Sequence, residues 1–341
     1  MHVLEAGDPR QPCVLLLHGF PELAYSWRKV MPALAAAGYC AIAPDQRGYG
    51  ETIGWDERDL HSFSMRNIVK DASDLLEILG IEKAHVVGHD FGSPVAAYAA
   101  LTRPDRFHSV VLMSAPYGGA PVGGRASDIH EELAKLGRKH YQWYFSTPEA
   151  DANMRRCPQG VHAFLRAYYH YKSADWPGNR PFPLAGWSAA ELAKMPTYYI
   201  MELGKGMAET VAPYMPANVP AWLTDEELAV YAQAFERTGF QGGLNWYRAA
   251  TDPDLAVKVE RNTIDIPAAY IAGASDWGIY QKPGELERMQ HAVCKDFRGA
   301  HLVDGAGHWV QQERPEAVCS ALLDFLSRCT PGRRCGRRPP G

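Results

Sequence analysis

Residues 86–93, Val86-Val87-Gly88-His89-Asp90-Phe91-Gly92-Ser93 (VVGHDFGS), decide how the chain is read. An apolar run of buried-strand type, AHVVGH (84–89), stops at an aspartate framed by glycines. Small residues at such flanks let a strand turn sharply into a helix while the central side chain is thrust outward. The plainer reading is a buried strand whose closing aspartate caps the next helix. The rest of the chain has to choose between them.

Outward from this turn, short apolar runs alternate with helical patterns over residues 1–116. CVLLLHG (13–19), YCAIAP (39–44) and SVVLMSAP (109–116) repeat the buried-strand type. Ile68, Ala72, Leu75, Leu76 and Leu79 fall at spacings of three and four, which predicts an amphipathic helix stopped by Gly80. Strand–helix alternation of this kind implies a parallel sheet covered on both faces. From 117 to 255 the rhythm breaks into a Tyr-, Trp- and Pro-rich stretch with several helix-like segments. It resumes at IPAAYIAGAS (266–275), FRGAHLVDG (297–305) and a helix near 315–328 opening at Pro315. An interrupted and later completed sheet predicts an α/β core, residues 1–116 and 256–328, with an inserted, largely helical cap at 117–255. Residues 329–341, rich in Pro, Gly and Arg, are expected to form a disordered tail.

Composition sets the outer limits. With 341 residues, 46% hydrophobic and 22% charged, the chain has ample apolar material for a globular core. A net charge of −4 gives no electrostatic reason to expect nucleic acid or an anionic membrane as partner. No apolar run reaches the ~20 residues of a spanning helix, and MHVLEAGDPRQP lacks the basic and apolar regions of a secretory signal. Seven scattered cysteines without metal-type spacing read as free thiols, so a reducing, cytoplasmic setting is expected. Monomer and homodimer both remain open.

Three further constellations bear on Asp90. His18-Gly19-Phe20-Pro21 directly follows a predicted strand, Asp276 follows the run AAYIAG, and Gly307-His308-Trp309 follows the last strand pattern. The chain order is then nucleophile, acid, histidine, as an α/β-hydrolase topology demands. In hydrolases of that fold the loop after the first of these strands gives one backbone N–H to an oxyanion and the residue after the nucleophile gives another. Phe20 and Phe91 are the candidates. A lone Asp or His in a loop is usually a solvated polar residue; both behind the correct strands in the correct order argue for a site.

On these residues the chain resembles an α/β-hydrolase of the epoxide hydrolase type, related to the haloalkane dehalogenases. The matching stretches are HGFPELAYSWR (18–28), PDQRGYGET (44–52), GHDFGS (88–93), SDWGIYQKPG (275–284) and GHWVQQERP (307–315). The likeness covers most of residues 1–328, with the usual first strand shortened or missing. It implies catalysis without cofactor or metal on a small epoxide and water. Asp90 is expected as nucleophile, with His308, oriented by Asp276, activating water. HYQWYF (140–145) and GGLNWYRA (242–249) resemble the cap motifs that supply the ring-opening tyrosines, which assigns that role to Tyr141 and Tyr247, although 17 tyrosines offer rivals such as Tyr144, Tyr168 and Tyr169. Pro21, Trp27, Trp143 and Trp246 are expected to contact substrate, while cap aromatics, Phe145 and Trp187 among them, serve packing equally well. His89, Asp45 and Arg47 read as structural.

An aspartate answers a chemical need that a serine does not. A carboxylate with an ordinary pKa near ~3.9 is already an anion at neutral pH, so it can attack a saturated carbon without a base. The alternatives are a dehalogenase on the same Asp-His-Asp machinery and a non-catalytic small-ligand binder. The dehalogenase marks are weak here: Phe91, not Trp, follows Asp90, Phe20, not Asn, follows His18-Gly19, and no arginine follows soon after to hold a carboxylate.

Overall fold

Every buried-strand run forms a strand. In the computed structural model, which describes residues 1–119, 126–257, 259 and 261–330, the strands are β1 (Val3–Ala6), β2 (Cys13–Leu17), β3 (Cys40–Pro44), β4 (Ala84–His89), β5 (Phe107–Met113), β6 (Arg138–His140), β7 (Ile200–Glu202), β8 (Ala268–Gly273) and β9 (Phe297–Val303). Seven of them make one sheet in the order β1-β3-β2-β4-β5-β8-β9. Only β1 runs antiparallel to its neighbour; it is a four-residue edge strand, the short first strand that the sequence suggested. The other pairings are parallel.

Continuous apolar strands are required because both faces are buried. Leu15 and Leu17 of β2 point into one core cluster with the Met65–Ile78 helix, while Val14 and Leu16 point into a second with the Met31–Ala36 and Pro315–Cys329 helices. The predicted helix at 68–79 is the Met65–Ile78 helix, ended by Gly80 at φ 70. Between β5 and β8 the chain is mainly helical: Ala126–Lys135, Tyr141–Phe145, Glu149–Arg155, Gly160–Lys172, Met207–Val211, Asp225–Thr238 and Gln241–Thr251 are its longer helices. It also contains the small antiparallel pair β6–β7, which the sequence did not announce because each strand is only three residues.

The fold runs slightly past position 328. Cys329 closes the last helix, and Thr330 is buried, bonded to the carbonyl of Leu326 and to His85. Thr330 thus finds polar partners inside the core, and the rest of the segment expected as a tail, residues 331–341, lies outside the described ones. Among the described residues no helix is long and apolar enough to cross a membrane. Six described cysteines, Cys13, Cys40, Cys157, Cys294, Cys319 and Cys329, are free thiols; Cys335 lies outside the described residues.

Candidate active site

The glycine-framed turn after β4 is as tight as its residues imply. Asp90 sits at φ 51, a left-handed conformation that a non-glycine residue adopts at a cost. The backbone closes because Gly88 and Gly92 touch: a β-carbon on Gly88 would overlap the Gly92 carbonyl. Phe91 then opens the Gly92–Thr102 helix. Gly19, on the loop after β2, lies flat against the aspartate, and a β-carbon there would overlap Asp90 Cβ and Oδ1.

Both carboxylate oxygens of Asp90 are engaged. The Phe20 N–H donates to Oδ1 at 2.9 Å, and His308 Nε2 lies 3.1 Å from Oδ2. Burial would raise the carboxyl's pKa, but the hydrogen bond and charge of His308, with Lys172 and His89 beyond it, outweigh that and hold it well below the usual carboxylate range. The side chain is 13% exposed and faces a cavity of about 330 Å³. Asp90 is therefore an anion at the wall of a small chamber.

His308 is anchored from behind. Its Nδ1 lies 3.2 and 3.3 Å from the two oxygens of Asp276, and 2.8 Å from the hydroxyl of Ser114. Asp276 also accepts from the Gly278 N–H at 2.7 Å and from the Ser114 hydroxyl. Burial works against the Asp276 charge, and His308, Ser114 and Gly278 overcome it, so its pKa is lowered. The histidine loop is fixed at three successive amides: Gly307 and Trp309 donate to Glu313 at 2.9 and 3.0 Å, and His308 donates to the Lys172 carbonyl at 3.0 Å.

Across the cavity stand two tyrosines from different cap helices. Tyr141 opens the Tyr141–Phe145 helix, Tyr247 lies in Gln241–Thr251, and their ring centroids are 6.0 Å apart. The Tyr141 oxygen accepts from Gln281 at 2.9 Å and from Gln142 at 3.2 Å, which leaves its own proton free for the cavity. Burial, with the Asp90 charge second, raises both hydroxyls above their ordinary pKa. They stay protonated donors.

The sequence-predicted residues separate on inspection. Asp90, Phe91, Tyr141, Tyr247 and Trp246 line the cavity, the last donating its indole N–H to the Arg47 carbonyl at 2.9 Å. Phe20 is buried against Tyr247, and Pro21 lies off the cavity wall with its carbonyl accepting from Tyr169. Trp27 does not reach the cavity: it is wholly buried in the core cluster on the other side of the sheet, with Val30, Leu34 and Phe325. Trp143 also faces away, 44% exposed and stacked on His130 at 5.1 Å. Both tryptophans sit close in sequence to site motifs, but helical geometry turns them elsewhere. His89 bridges Glu22 and the His308 carbonyl, each at 2.7 Å, and Asp45 and Arg47 brace their loop, the latter on Asp71.

Four polar groups of the site escaped the sequence reading. Glu22 directly follows the His18–Pro21 motif and could have been suspected from its place; Ser114 ends the apolar run of β5. Glu313 lies inside the matching stretch GHWVQQERP but was given no role, and Lys172 carried no signal. The Lys172 amine is buried among the rings of Tyr168, Tyr199 and Trp309, with Nζ 5.2 Å from the last two centroids, and only the cap's placement brings it near Asp90.

A strand-borne nucleophile, an acid after a later strand and a histidine after the last define the α/β-hydrolases, and a family model of the alpha/beta hydrolase fold matches residues 12–192. Within that class the relatives agree. Epoxide hydrolase B of Mycobacterium tuberculosis is 36% identical over 97% of this chain and 96% of its own, and Epoxide hydrolase A of the same organism 37% over 96% and 94%. Among solved structures, an epoxide hydrolase from an endophytic Streptomyces superposes with a TM-score of 0.79 at 36% identity, covering 95% of this chain and 91% of that one. Epoxide Hydrolase A from Mycobacterium thermoresistibile gives 0.77 at 36%, over 95% and 93%. This chain belongs to the epoxide hydrolase family.

Proposed function

We propose that the protein hydrates an epoxide to a vicinal diol in two steps through an ester on Asp90. In the first, a carboxylate oxygen of Asp90 attacks a ring carbon, the C–O bond opens, and Tyr141 and Tyr247 stabilise and protonate the departing oxygen. An alkoxide is a poor leaving group and wants an acid, which two un-ionised tyrosines supply. In the second, His308 Nε2 takes a proton from a water that attacks the ester's carbonyl carbon, not the substrate. The Phe20 N–H then stabilises the tetrahedral oxyanion, with the Phe91 amide as the second candidate donor. Collapse releases the diol and returns the carboxylate, and a tyrosine recovers the proton that His308 gathered.

The observation that carries this reading is the pairing of a fixed carboxylate anion with two proton-bearing tyrosines across one small cavity. Pocket walls from Phe63, Met65, Ile68, Tyr98 and Leu255 suit an apolar substituent on the epoxide. The test is a single turnover in heavy-oxygen water, where the first diol should carry no label and the label should reside in the carboxylate of Asp90. Label in the first-turnover diol would exclude the ester route. In parallel, His308→Gln should alkylate but turn over roughly 10²–10⁴-fold more slowly, leaving a stoichiometric adduct on the Asp90 peptide by mass spectrometry.

A further inference from the structure

Ser114 follows the last residue of β5, wholly buried, at a point where the chain pays for its presence. Its φ of 68 is left-handed, and among the described non-glycine residues only Asp90 shares that region. A glycine would adopt this conformation without the steric cost that a β-carbon brings. The backbone gives the residue no freedom to move away, because its N–H donates to the Ile271 carbonyl at 3.0 Å and its own carbonyl accepts from the Tyr270 hydroxyl at 2.8 Å. The hydroxyl is thereby fixed in the gap between Asp276 and His308.

The distances rank the partners of His308. A charge-assisted N–H···carboxylate bond is normally about 2.7–2.9 Å; Nδ1 stands 3.2 and 3.3 Å from the Asp276 oxygens, but 2.8 Å from Ser114 Oγ. Proton counting fixes the direction. Ionised Asp276 only accepts, so the single hydroxyl proton of Ser114 goes to Oδ2 and its oxygen accepts the Nδ1–H of His308. All three residues are at most 2% exposed, which leaves little room for a bulk water to take the hydroxyl's place.

We infer that Ser114 is a positioning residue for the second step: together with Asp276 it holds the proton on Nδ1 and aims Nε2 at the water that cleaves the Asp90 ester. It relays the support of the carboxylate to the imidazolium that forms as water is deprotonated. The inference rests on the two-step reading above, in which His308 serves ester hydrolysis and not alkylation.

The test separates the two steps by stopped-flow tryptophan fluorescence with an aryl epoxide, in the wild type, Ser114→Gly and Ser114→Ala. Glycine removes the hydroxyl and relaxes the backbone together, so its thermal midpoint is expected unchanged or higher. Alkylation should stay within about two-fold of wild type while ester hydrolysis slows roughly ten-fold or more, and the slowed variant should accumulate ester detectable by mass spectrometry. Adding Ser114→Gly to Asp276→Asn should cost less than it does in the wild type, because the relay has already lost its anionic acceptor. Unchanged hydrolysis in Ser114→Gly, or equal loss in both steps, overturns the assignment to Ser114 while leaving the two-step reading in place. A wild type that forms no ester overturns both.

Discussion

Gly19 shows how a single hydrogen atom conditions the site. The turn after β4 thrusts Asp90 against the loop after β2, and the Phe20 N–H can reach Oδ1 at 2.9 Å only because nothing projects from position 19. Asp90 cannot retreat from an added methyl, since its other oxygen is held by His308 and its backbone is already left-handed. Gly19→Ala is therefore expected to slow alkylation by about 100-fold or more. It should lower stability by about 1–3 kcal/mol, the usual cost of overpacking. Single-turnover rates and urea unfolding check both figures, and a Gly19→Ala protein alkylated at the wild-type rate would contradict this placement of the loop.

At the scale of elements, one carboxylate helps to tie the loop after β9 to the cap, beside the bond from His308 N–H to the Lys172 carbonyl. Glu313, in the short Val310–Glu313 helix, accepts from Gly307 and Trp309 on either side of His308 and from Ala174 at the end of the cap's Gly160–Lys172 helix. Burial is the largest influence on its pKa and overcomes these three N–H bonds, pushing it from 4.5 up to about 7. Between those values the folded protein holds a proton that the unfolded chain has released. Stability from this group is thus full below pH 4.5 and lost as pH rises through about 7. The slope is at most about 1.4 kcal/mol per pH unit. His89, whose pKa Glu22 raises against the effect of burial, slopes the same way, so the informative quantity is the difference from Glu313→Gln. Urea unfolding at several pH values between 5 and 8 should give a shallower pH dependence for the variant; identical slopes would exclude Glu313 as a titrating group in this window.

At the scale of the whole molecule, the helical stretch between β5 and β8 meets the sheet at the chamber, and we propose that this stretch, expected at 117–255, is the cap. Arg28 pairs with cap residue Glu227 at 3.0 Å, and Ser26 meets the Tyr231 hydroxyl at 2.9 Å, so the cap is seated by polar bonds as well as by aromatic packing. Another seat is backbone on backbone: Gly48, at φ 89 in the core loop, lies against Gly242 at the start of the helix that carries Trp246 and Tyr247. A β-carbon on Gly242 would overlap the Gly48 carbonyl, and neither backbone can yield cheaply. Gly242→Ala is expected to displace that helix, slow ring opening roughly ten-fold or more by misplacing the Tyr247 hydroxyl, and leave the second step nearly untouched. Stopped-flow separation of the two steps decides it, equal loss in both being the contrary result.

Strand runs such as CVLLLHG and AHVVGH were legible in the sequence because burial on both faces leaves a continuous apolar signature that needs no knowledge of neighbours. Asp90 was legible for a related reason: a bend that tight demands glycines beside it, and a demand of the local backbone is written locally. Trp27 and Trp143 misled because nearness along the chain says nothing about which way a helix turns a side chain. The roles of Ser114, Lys172 and Glu313 were invisible because their partners lie far away in the sequence: His308 is 194 residues from Ser114, and the Ala174 amide is 139 residues from Glu313. The sequence by itself determined the sheet, its interruption by a helical stretch and the order of Asp90, Asp276 and His308 behind their strands, all set by local patterning and chain order. The tertiary structure alone decided which tyrosines share the chamber, which polar groups surround His308 and how the helical stretch between β5 and β8 is seated, since each depends on distances between segments that the chain brings together only on folding.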